Sequence, residues 1–221
     1  ASRTTAPAIR NEPSMSDSET VQPDGNPGAY STLVLGIGNV LYADEGFGIR
    51  AVEALNARYT FPDTVRVMDG GTQGIFLLPW VRSADRLLIF DAVDFGMAPA
   101  TLKLVRGNDV PRYMGAKKVS MHQAGFQEVL ASADLADSLP AKLALVGVQP
   151  ELLNDYGGSL TDGVKAQIEP AIALARRVLT DWGVDCVERG SRPQGVDLTG
   201  PDALEIDEYE QGRPVLKGES R

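Results

Sequence analysis

The sequence of 221 residues contains one cysteine and one histidine. The single cysteine, Cys186, excludes a disulfide within the chain and argues against a disulfide-stabilised secreted protein, so a reducing cytoplasm is the expected compartment. Cys186 follows the last strong helical pattern in a polar stretch, far in sequence from His122. A catalytic cysteine needs a histidine beside it, so an unreactive thiol is the favoured interpretation.

Long hydrophobic runs are also lacking. No apolar run approaches the roughly 20 residues that a membrane-spanning helix needs. The N-terminal region also lacks the continuous apolar segment of a secretory signal, so no such signal is predicted there. Lys and Arg number 21 against 30 Asp and Glu, which gives a formal net charge of −9. This balance argues against general binding of nucleic acid or anionic membranes. The nucleophile elbow Gly-x-Ser-x-Gly is absent, which argues against a serine or cysteine hydrolase. The P-loop and the zinc-protease motif His-Glu-x-x-His are absent as well.

Composition divides the chain into three parts. Residues 1–29 are rich in Pro, Ser, Thr, Ala and Gly and are predicted to form a disordered N-terminal extension. Residues 30–188 carry the apolar patterns and are predicted to form a single α/β domain. Residues 189–221 combine Gly-Pro breaks with an acidic stretch. We expect a flexible tail there, with a partner-docking tail as the alternative.

Strand and helix patterns alternate within the domain. Apolar runs predict strands near 33–35, 65–68, 87–90, 102–105 and 143–146, and helical spacing predicts helices over 44–59, 73–83, 122–133 and 161–182. The run 87–90 is apolar on both faces, which is typical of a central parallel strand, whereas 102–105 alternates like an edge or antiparallel strand. Pro170 is expected to kink the last helix or to mark its irregular first part. The order predicts a three-layer α/β/α sandwich with a mostly parallel twisted sheet of about five strands.

Glu45, Asp91 and His122 each follow a predicted strand or open a predicted helix. Ligands of such sheets gather at the carboxyl ends of the strands, so one crevice is expected to collect the three side chains. Two carboxylates and one imidazole are too few for a closed zinc site, but they can form part of a shell whose other ligands come from elsewhere. Each also has a structural explanation. Glu45 could be a first-turn acid behind an N-cap at Asp44, Asp91 a turn residue, and His122 a packed or surface histidine.

Nucleotide binding is a competing hypothesis. The glycines of residues 36–38 follow the first strand as in a dinucleotide fingerprint, but Leu41 stands at the third glycine position and the helix starts after a longer loop. Asp44 and Glu45 at the helix entrance would also repel a pyrophosphate. A nucleotide-binding α/β protein is therefore kept only as an alternative.

The segment Gly70-Gly71-Thr72-Gln73 follows Asp69 at the end of the second predicted strand. Its glycines permit a left-handed backbone and close approach of another chain. The structural explanation is a tight strand-to-helix connection. The functional explanation is a backbone groove for an extended peptide, which makes Gly70, Gly71, Thr72 and Gln73 candidate substrate-binding residues.

Taken together, five ordered motifs resemble the nickel-iron hydrogenase maturation endopeptidases. The motifs are Leu35-Gly36-Ile37-Gly38-Asn39 with Asp44-Glu45-Gly46-Phe47-Gly48, then Asp69-Gly70-Gly71-Thr72, Asp91-Ala92-Val93, His122-Gln123-Ala124-Gly125 and Gly147-Val148-Gln149-Pro150. The resemblance covers roughly residues 31–185 and is greatest for the branch that serves membrane-bound uptake hydrogenases. One departure is Ala100, where the family often has glycine.

The resemblance implies a nickel-dependent endopeptidase, classed in some schemes as aspartyl-type, that removes the C-terminal extension of the hydrogenase large-subunit precursor after nickel insertion. Glu45, Asp91 and His122 fall on the family's metal-recognition positions and are also the candidate catalytic residues, with Asp91 as the candidate general base. Nickel is expected to arrive with the precursor, whose cysteines would complete its shell. The alternative is a non-cleaving chaperone that checks nickel loading or holds the precursor. Neither nucleic acid nor a membrane is expected as a partner.

Overall fold

A computed structural model describes residues 30–116 and 121–190 of the chain. The side chains of residues 115–116 and 121–124 lie outside the described part. The predicted N-terminal extension, residues 1–29, also lies outside it, as does the predicted tail apart from Arg189 and Gly190. Arg189 continues the fold, since its guanidinium donates hydrogen bonds to the carbonyl oxygens of Asn56 and Tyr59.

Seven strands and six helices make up the described fold. The strands are β1 (Thr32–Ile37), β2 (Tyr59–Thr60), β3 (Val65–Gly71), β4 (Arg86–Ala92), β5 (Leu102–Arg106), β6 (Lys142–Val148) and β7 (Val187–Glu188). The helices are α1 (Phe47–Arg58), α2 (Leu78–Arg82), α3 (Asp109–Ala116), α4 (Met121–Leu135), α5 (Asp162–Lys165) and α6 (Ile168–Asp181), with 3-10 turns at Ala43–Gly46 and Gly74–Leu77. None of the helices is long and apolar enough to cross a membrane, within the residues that the structure describes.

The main sheet has five strands in the order β3-β1-β4-β6-β5. β3, β1, β4 and β6 are parallel, and β5 pairs antiparallel with β6 at the edge. The mostly parallel sheet is therefore confirmed, with the run 87–90 in its central strand and the run 102–105 in the antiparallel edge strand. The small antiparallel pair of β2 and β7 and the helix α3 were not expected from the sequence patterns.

Alternation along the strands builds a separate core on each face of the sheet. On β4, Leu88, Phe90 and Ala92 point into the core covered by α1 and α6. Leu87 and Ile89 point into the other core, which α2, α3 and α4 cover. A strand buried on both faces can carry apolar residues at every position, which explains its unbroken hydrophobic run. The predicted α/β/α layering follows from these two cores.

Three helix predictions differ from the structure at their N-terminal ends. The helix expected from residue 44 begins at Phe47, after a 3-10 turn in which Ala43 has a positive φ of 37°. The one expected from residue 73 has a 3-10 turn before the short α2. Residues 161–182 form α5 and α6, and Pro170 lies in the first turn of α6. A proline there removes an N–H that has no partner within the helix. The helix is interrupted just before Pro170, which agrees with the prediction that this residue marks an irregular first part.

Ala100, the departure from the family pattern, has a φ of +58°. This left-handed conformation is easily adopted by glycine and costs energy for alanine. The structure therefore gives a physical reason for the glycine that the family often has at this position.

Candidate active site

The candidate residues lie at the carboxyl ends of the parallel strands. The chain goes from β1 to its neighbour β3 on one side and then to β4 on the other side. α1 covers one face of the sheet and α2 the opposite face, so the boundary between β1 and β4 is a topological switch point. Crevices in α/β sheets form at such points, outside the carboxyl ends of the strands.

Glu45 lies in the 3-10 turn that follows β1 and is only 8% exposed. The turn closes back on β1, since the Asn39 N–H donates a hydrogen bond of 3.0 Å to the Glu45 carbonyl oxygen. Gly38 makes this possible: its φ is +145°, and a Cβ on it would lie 1.9 Å from the same oxygen. The glycine of the first motif therefore serves to position Glu45, which is a different use from phosphate binding.

A second glycine brings α1 onto the ends of two strands. A Cβ on Gly48 would lie 2.2 Å from the carbonyl oxygen of Ile37 in β1 and 2.3 Å from that of Phe90 in β4. Only glycine permits so close an approach between helix and sheet. Glu45 precedes Gly48 by three residues, and Asp91 follows Phe90 directly. The contact at Gly48 therefore brings the segments that carry Glu45 and Asp91 together.

Asp91 is a fully buried carboxylate inside β4, where it pairs with Gly147 of β6. Since Phe90 and Ala92 point toward α1 and α6, the alternation of β4 directs Asp91 toward the face covered by α2, α3 and α4. The turn role belongs instead to Asp94, whose Oδ1 accepts the Gly96 N–H at 2.8 Å. Asp91 is therefore a strand residue, and a turn or cap does not explain its presence.

His122 is the second residue of α4, and its side chain lies outside the described part. α4 precedes β6 in the chain and packs on the face toward which Asp91 is directed. A Cβ on Gly125 would lie 3.3 Å from the Cα of Gly74, so the start of α4 adjoins the turn that follows β3. The backbone of His122 thus lies at the same end of the sheet as Glu45 and Asp91.

No group of three or more His, Cys, Asp and Glu residues that could hold a metal ion occurs among the described residues. The side chain of His122 is outside that set. The structure therefore brings two of the three predicted ligands to one end of the sheet as side chains and the third as backbone. Their common metal site stays a prediction.

Several polar backbone groups of the loop at the end of β3 form hydrogen bonds within the loop. The Gly71 N–H donates to Oδ1 of Asp69 at 2.7 Å, and the Gln73 N–H donates to the Gly70 carbonyl at 3.2 Å. Gly70 is buried, while the side chains of Thr72 and Gln73 are exposed. These contacts fit the tight-connection explanation, and Thr72 and Gln73 are the parts of the loop that a peptide could reach.

Burial raises the pKa of two carboxyl groups in this region toward neutral values. The pKa of Glu45 is raised from its ordinary value of 4.5 to about 7 by burial. Burial also raises the pKa of Asp69 from 3.8 to about 6, against the lowering effects of the Gly71 N–H and the charge of Arg50. Perturbed carboxyl groups that adjoin a strand-end crevice are typical of functional sites.

Asp44 is a residue whose role the sequence patterns misassigned. The prediction that it caps α1 is wrong, because Gly46 is the N-cap and Asp44 makes no capping bond. Its fully buried carboxylate instead accepts the backbone N–H groups of Glu151, Leu152 and Thr161 at 2.7–2.9 Å. Asp44 therefore fastens the segment after β6 to the turn that carries Glu45.

Gln149 plays a similar part beside Asp91. Its Oε1 accepts the N–H groups of Phe95 and Met97 at 2.8 and 3.1 Å, and its Nε2 donates to Asp94 at 3.1 Å. These bonds hold the segment that follows β4. An adjoining cleft of about 350 Å³ is lined by Asp94 and residues 149–154. In the sequence, Gln149 was indicated only by its place in the motif Gly147-Val148-Gln149-Pro150.

Cys186 is half-buried, and burial raises the pKa of its thiol. A raised pKa lowers the thiolate fraction at neutral pH. This agrees with the interpretation of Cys186 as an unreactive thiol.

Replacing Glu45 by glutamine is expected to remove a pH dependence from the stability of the nickel-free protein. With a pKa of about 7 in the folded state and 4.5 as its ordinary value, Glu45 keeps its proton in the folded state where the unfolded chain has lost it. The free energy of unfolding should therefore fall as pH rises from about 4.5 to about 7. We expect Glu45→Gln to be more stable than the wild type by about 1–2 kcal/mol at pH 8, and equally stable at pH 4. Urea unfolding at both pH values measures this, and a constant difference would contradict it.

Comparison with known proteins places these observations in a family. A family model described as hydrogenase maturation protease matches residues 49–178, a span that includes Asp91 and His122 and begins just after Glu45. The hydrogenase expression/formation protein HoxM of Azotobacter vinelandii is 54% identical over 187 residues, which are 85% of this chain and 89% of HoxM. The hydrogenase 2 maturation protease of Escherichia coli is 44% identical over 71% of this chain and 95% of its own length.

The fold is also similar to that of a solved protein. The hydrogenase maturating endopeptidase HybD from Escherichia coli is similar in structure, with a TM-score of 0.68 and 42% sequence identity. The match covers 72% of this chain and 98% of HybD. Sequence and structure comparisons therefore agree.

Proposed function

We propose a function for this chain, which belongs to the hydrogenase maturation protease family and is an endopeptidase. In this proposal it removes the C-terminal extension of the nickel-iron hydrogenase large-subunit precursor after nickel insertion. The observation that carries the proposal is the approach of α1 to β4 at Gly48, which puts Glu45 beside the end of the strand that holds Asp91. The cytoplasm, expected from the single cysteine, is the proposed compartment.

Glu45, Asp91 and His122 are proposed to recognise the nickel that the precursor carries. Carboxylate oxygens and an imidazole nitrogen suit a divalent first-row ion, and cysteine thiolates of the precursor would supply the remaining ligands. The two carboxyl groups are 8% and 0% exposed, so little water competes for them. A dication would favour the ionised form of Glu45, whose pKa burial otherwise raises to about 7. Nickel binding is therefore expected to release a proton at neutral pH.

Hydrolysis of the peptide bond needs a water molecule and a base. In the proposed reaction, the water oxygen attacks the scissile carbonyl carbon, Asp91 accepts a proton from that water, and the proton goes to the nitrogen of the leaving segment as the C–N bond breaks. Nickel next to the scissile bond would polarise its carbonyl. Thr72 and Gln73, exposed at the end of β3, are proposed to contact the precursor on either side of the bond.

The test is a processing assay with purified large-subunit precursor in nickel-loaded and nickel-free forms. We expect the wild-type protein to release one C-terminal fragment from the nickel-loaded precursor and none from the nickel-free form. Mass spectrometry of the fragment identifies the bond. Equal cleavage of both forms would contradict nickel recognition. Nickel-dependent binding without any fragment would indicate a chaperone that checks nickel loading.

A further inference from the structure

The exposed apolar side chains of the described residues are concentrated at one end of the sheet. Nine large hydrophobic residues are exposed within residues 30–114 and 125–190, whose side chains the structure describes, and seven of them follow the carboxyl ends of β1, β3, β4 or β6. These seven are Leu41, Tyr42, Ile75, Phe76, Met97, Leu152 and Tyr156. The other two, Leu135 and Val187, lie at the end of α4 and in β7. Exposed apolar residues gathered around a functional crevice mark a binding surface for another molecule.

Four of the seven form a connected group, which we call the tyrosine patch: Leu41, Tyr42, Leu152 and Tyr156. The rings of Tyr42 and Tyr156 meet edge to face with centroids 5.3 Å apart. The Gly157 N–H donates a 2.8 Å hydrogen bond to the Leu41 carbonyl oxygen, which joins the two segments of the patch. Both rings are held in place although Tyr156 is 70% exposed.

A buried carboxylate holds one segment of the patch. Asp44 accepts the Leu152 N–H at 2.9 Å through its carboxylate, and its own N–H donates to the Leu152 carbonyl at 3.1 Å. The surface is therefore formed before any partner binds. A preformed aromatic surface binds with little loss of conformational entropy. Tyrosine is among the residues enriched at such interfaces.

The patch also adjoins the proposed site directly. The Glu45 N–H donates a 2.9 Å hydrogen bond to the carbonyl oxygen of Tyr42. The tyrosine patch is therefore a direct neighbour of the turn that carries Glu45, within reach of a polypeptide that brings its nickel there. A second copy of the chain bound at the patch would hinder access of the precursor to Glu45. Glu151 next to Leu152 and the net charge of −9 argue against binding of an anionic membrane at the patch.

We propose that the tyrosine patch binds an apolar segment of the hydrogenase precursor next to the scissile bond, an inference that rests on the proposed function. The patch supplies affinity for the polypeptide, while Glu45, Asp91 and His122 recognise its metal. The patch acts before the chemical step, so its loss should raise KM and leave kcat nearly unchanged.

The test compares Tyr156→Ser with Leu135→Ser, since both positions are highly exposed, at 70% and 91%, and Leu135 is at the far end of α4. For the nickel-loaded precursor, we expect Tyr156→Ser to raise KM about tenfold with kcat within about twofold of wild type. Leu135→Ser should change neither, and Tyr156→Phe, which keeps the ring, should stay close to wild type. The Kd for the precursor, measured in parallel by calorimetry, should rise with KM.

The possible failures can be told apart. An active wild type with unchanged KM and Kd in Tyr156→Ser would overturn the patch inference alone. A wild type that neither binds nor cleaves the nickel-loaded precursor would overturn the proposed function and the inference together. If sedimentation shows a wild-type dimer that Tyr156→Ser dissociates, the patch belongs to contact between two copies, and the inference is wrong.

Discussion

The Asp91→Asn variant is expected to process the nickel-loaded precursor at least about 100-fold more slowly than the wild type. Asparagine has nearly the same shape as aspartate, so the fully buried position within β4 should keep its packing and its pairing with Gly147. The variant loses the negative charge that the proposed mechanism uses to bind nickel and to accept a proton. The initial rate of fragment release measures the effect, and circular dichroism verifies the fold.

The matched control for this variant is Asp94→Asn, three residues further along the chain. The Asp94 carboxylate accepts hydrogen bonds from the Gly96 N–H and from the Gln149 side chain, so its role is to shape the turn. We expect the rate of processing to stay within about threefold of wild type in this variant. An Asp91→Asn protein that is folded and cleaves as fast as Asp94→Asn would contradict the assignment of Asp91.

The part of the site that the sequence could predict lies within short segments. Asp91 follows an apolar run too continuous for a half-buried strand, which placed it at the end of a central strand. Glu45 follows a strand-glycine-helix pattern, which placed it at the end of β1. Both placements depend only on residues a few positions away, and the structure confirms the strands concerned.

The part that the sequence could not predict depends on contacts across the fold. Asp44 was interpreted as a cap because aspartate is a favoured N-cap residue and the helical pattern begins there. Its partners Glu151 and Thr161 are 107 and 117 residues away. The segment between β6 and α5 has neither helical nor strand periodicity, so no local pattern indicates which side chain accepts its backbone hydrogen bonds. The contacts of Gln149 were not predicted for the same reason, since its partners Phe95 and Met97 are 54 and 52 residues away.

The same argument explains the late start of α1. A helical pattern extended to residue 44, but the turn at Ala43–Gly46 must meet two demands at once. It places Glu45 beside the strand ends and turns Asp44 toward the segment after β6. The backbone leaves the helical conformation to satisfy both, including a positive φ at Ala43. Departures of this kind from local preference are expected at functional sites.

Replacing Asp44 by alanine is expected to lower the free energy of unfolding by about 3–5 kcal/mol, because several hydrogen bonds to a charged group are lost and each typically contributes about 1.5–3 kcal/mol. The backbone N–H groups of Glu151, Leu152 and Thr161 would lose their acceptor. Asp44 itself is fully buried, whereas Glu151 and Leu152 are exposed residues whose N–H groups water can reach in the variant. Water entering the space left by the carboxylate would offset part of the sum. The loss is large for a single domain, and urea unfolding at neutral pH measures it directly.

Thr161→Val is the matched control for Asp44→Ala, because it removes only the hydroxyl that donates to Asp44 at 3.0 Å and leaves the three backbone bonds in place. We expect this change to lower the free energy of unfolding by about 1 kcal/mol. Asp44→Ala should also lower the processing rate at temperatures where the variant is folded, since the Glu45 turn and the segment after β6 lose their common anchor. Equal destabilisation by the two variants would show that the hydroxyl, and not the backbone network, carries the energy. A stable Asp44→Ala protein would mean that the turn around Glu45 holds its shape without the segment after β6.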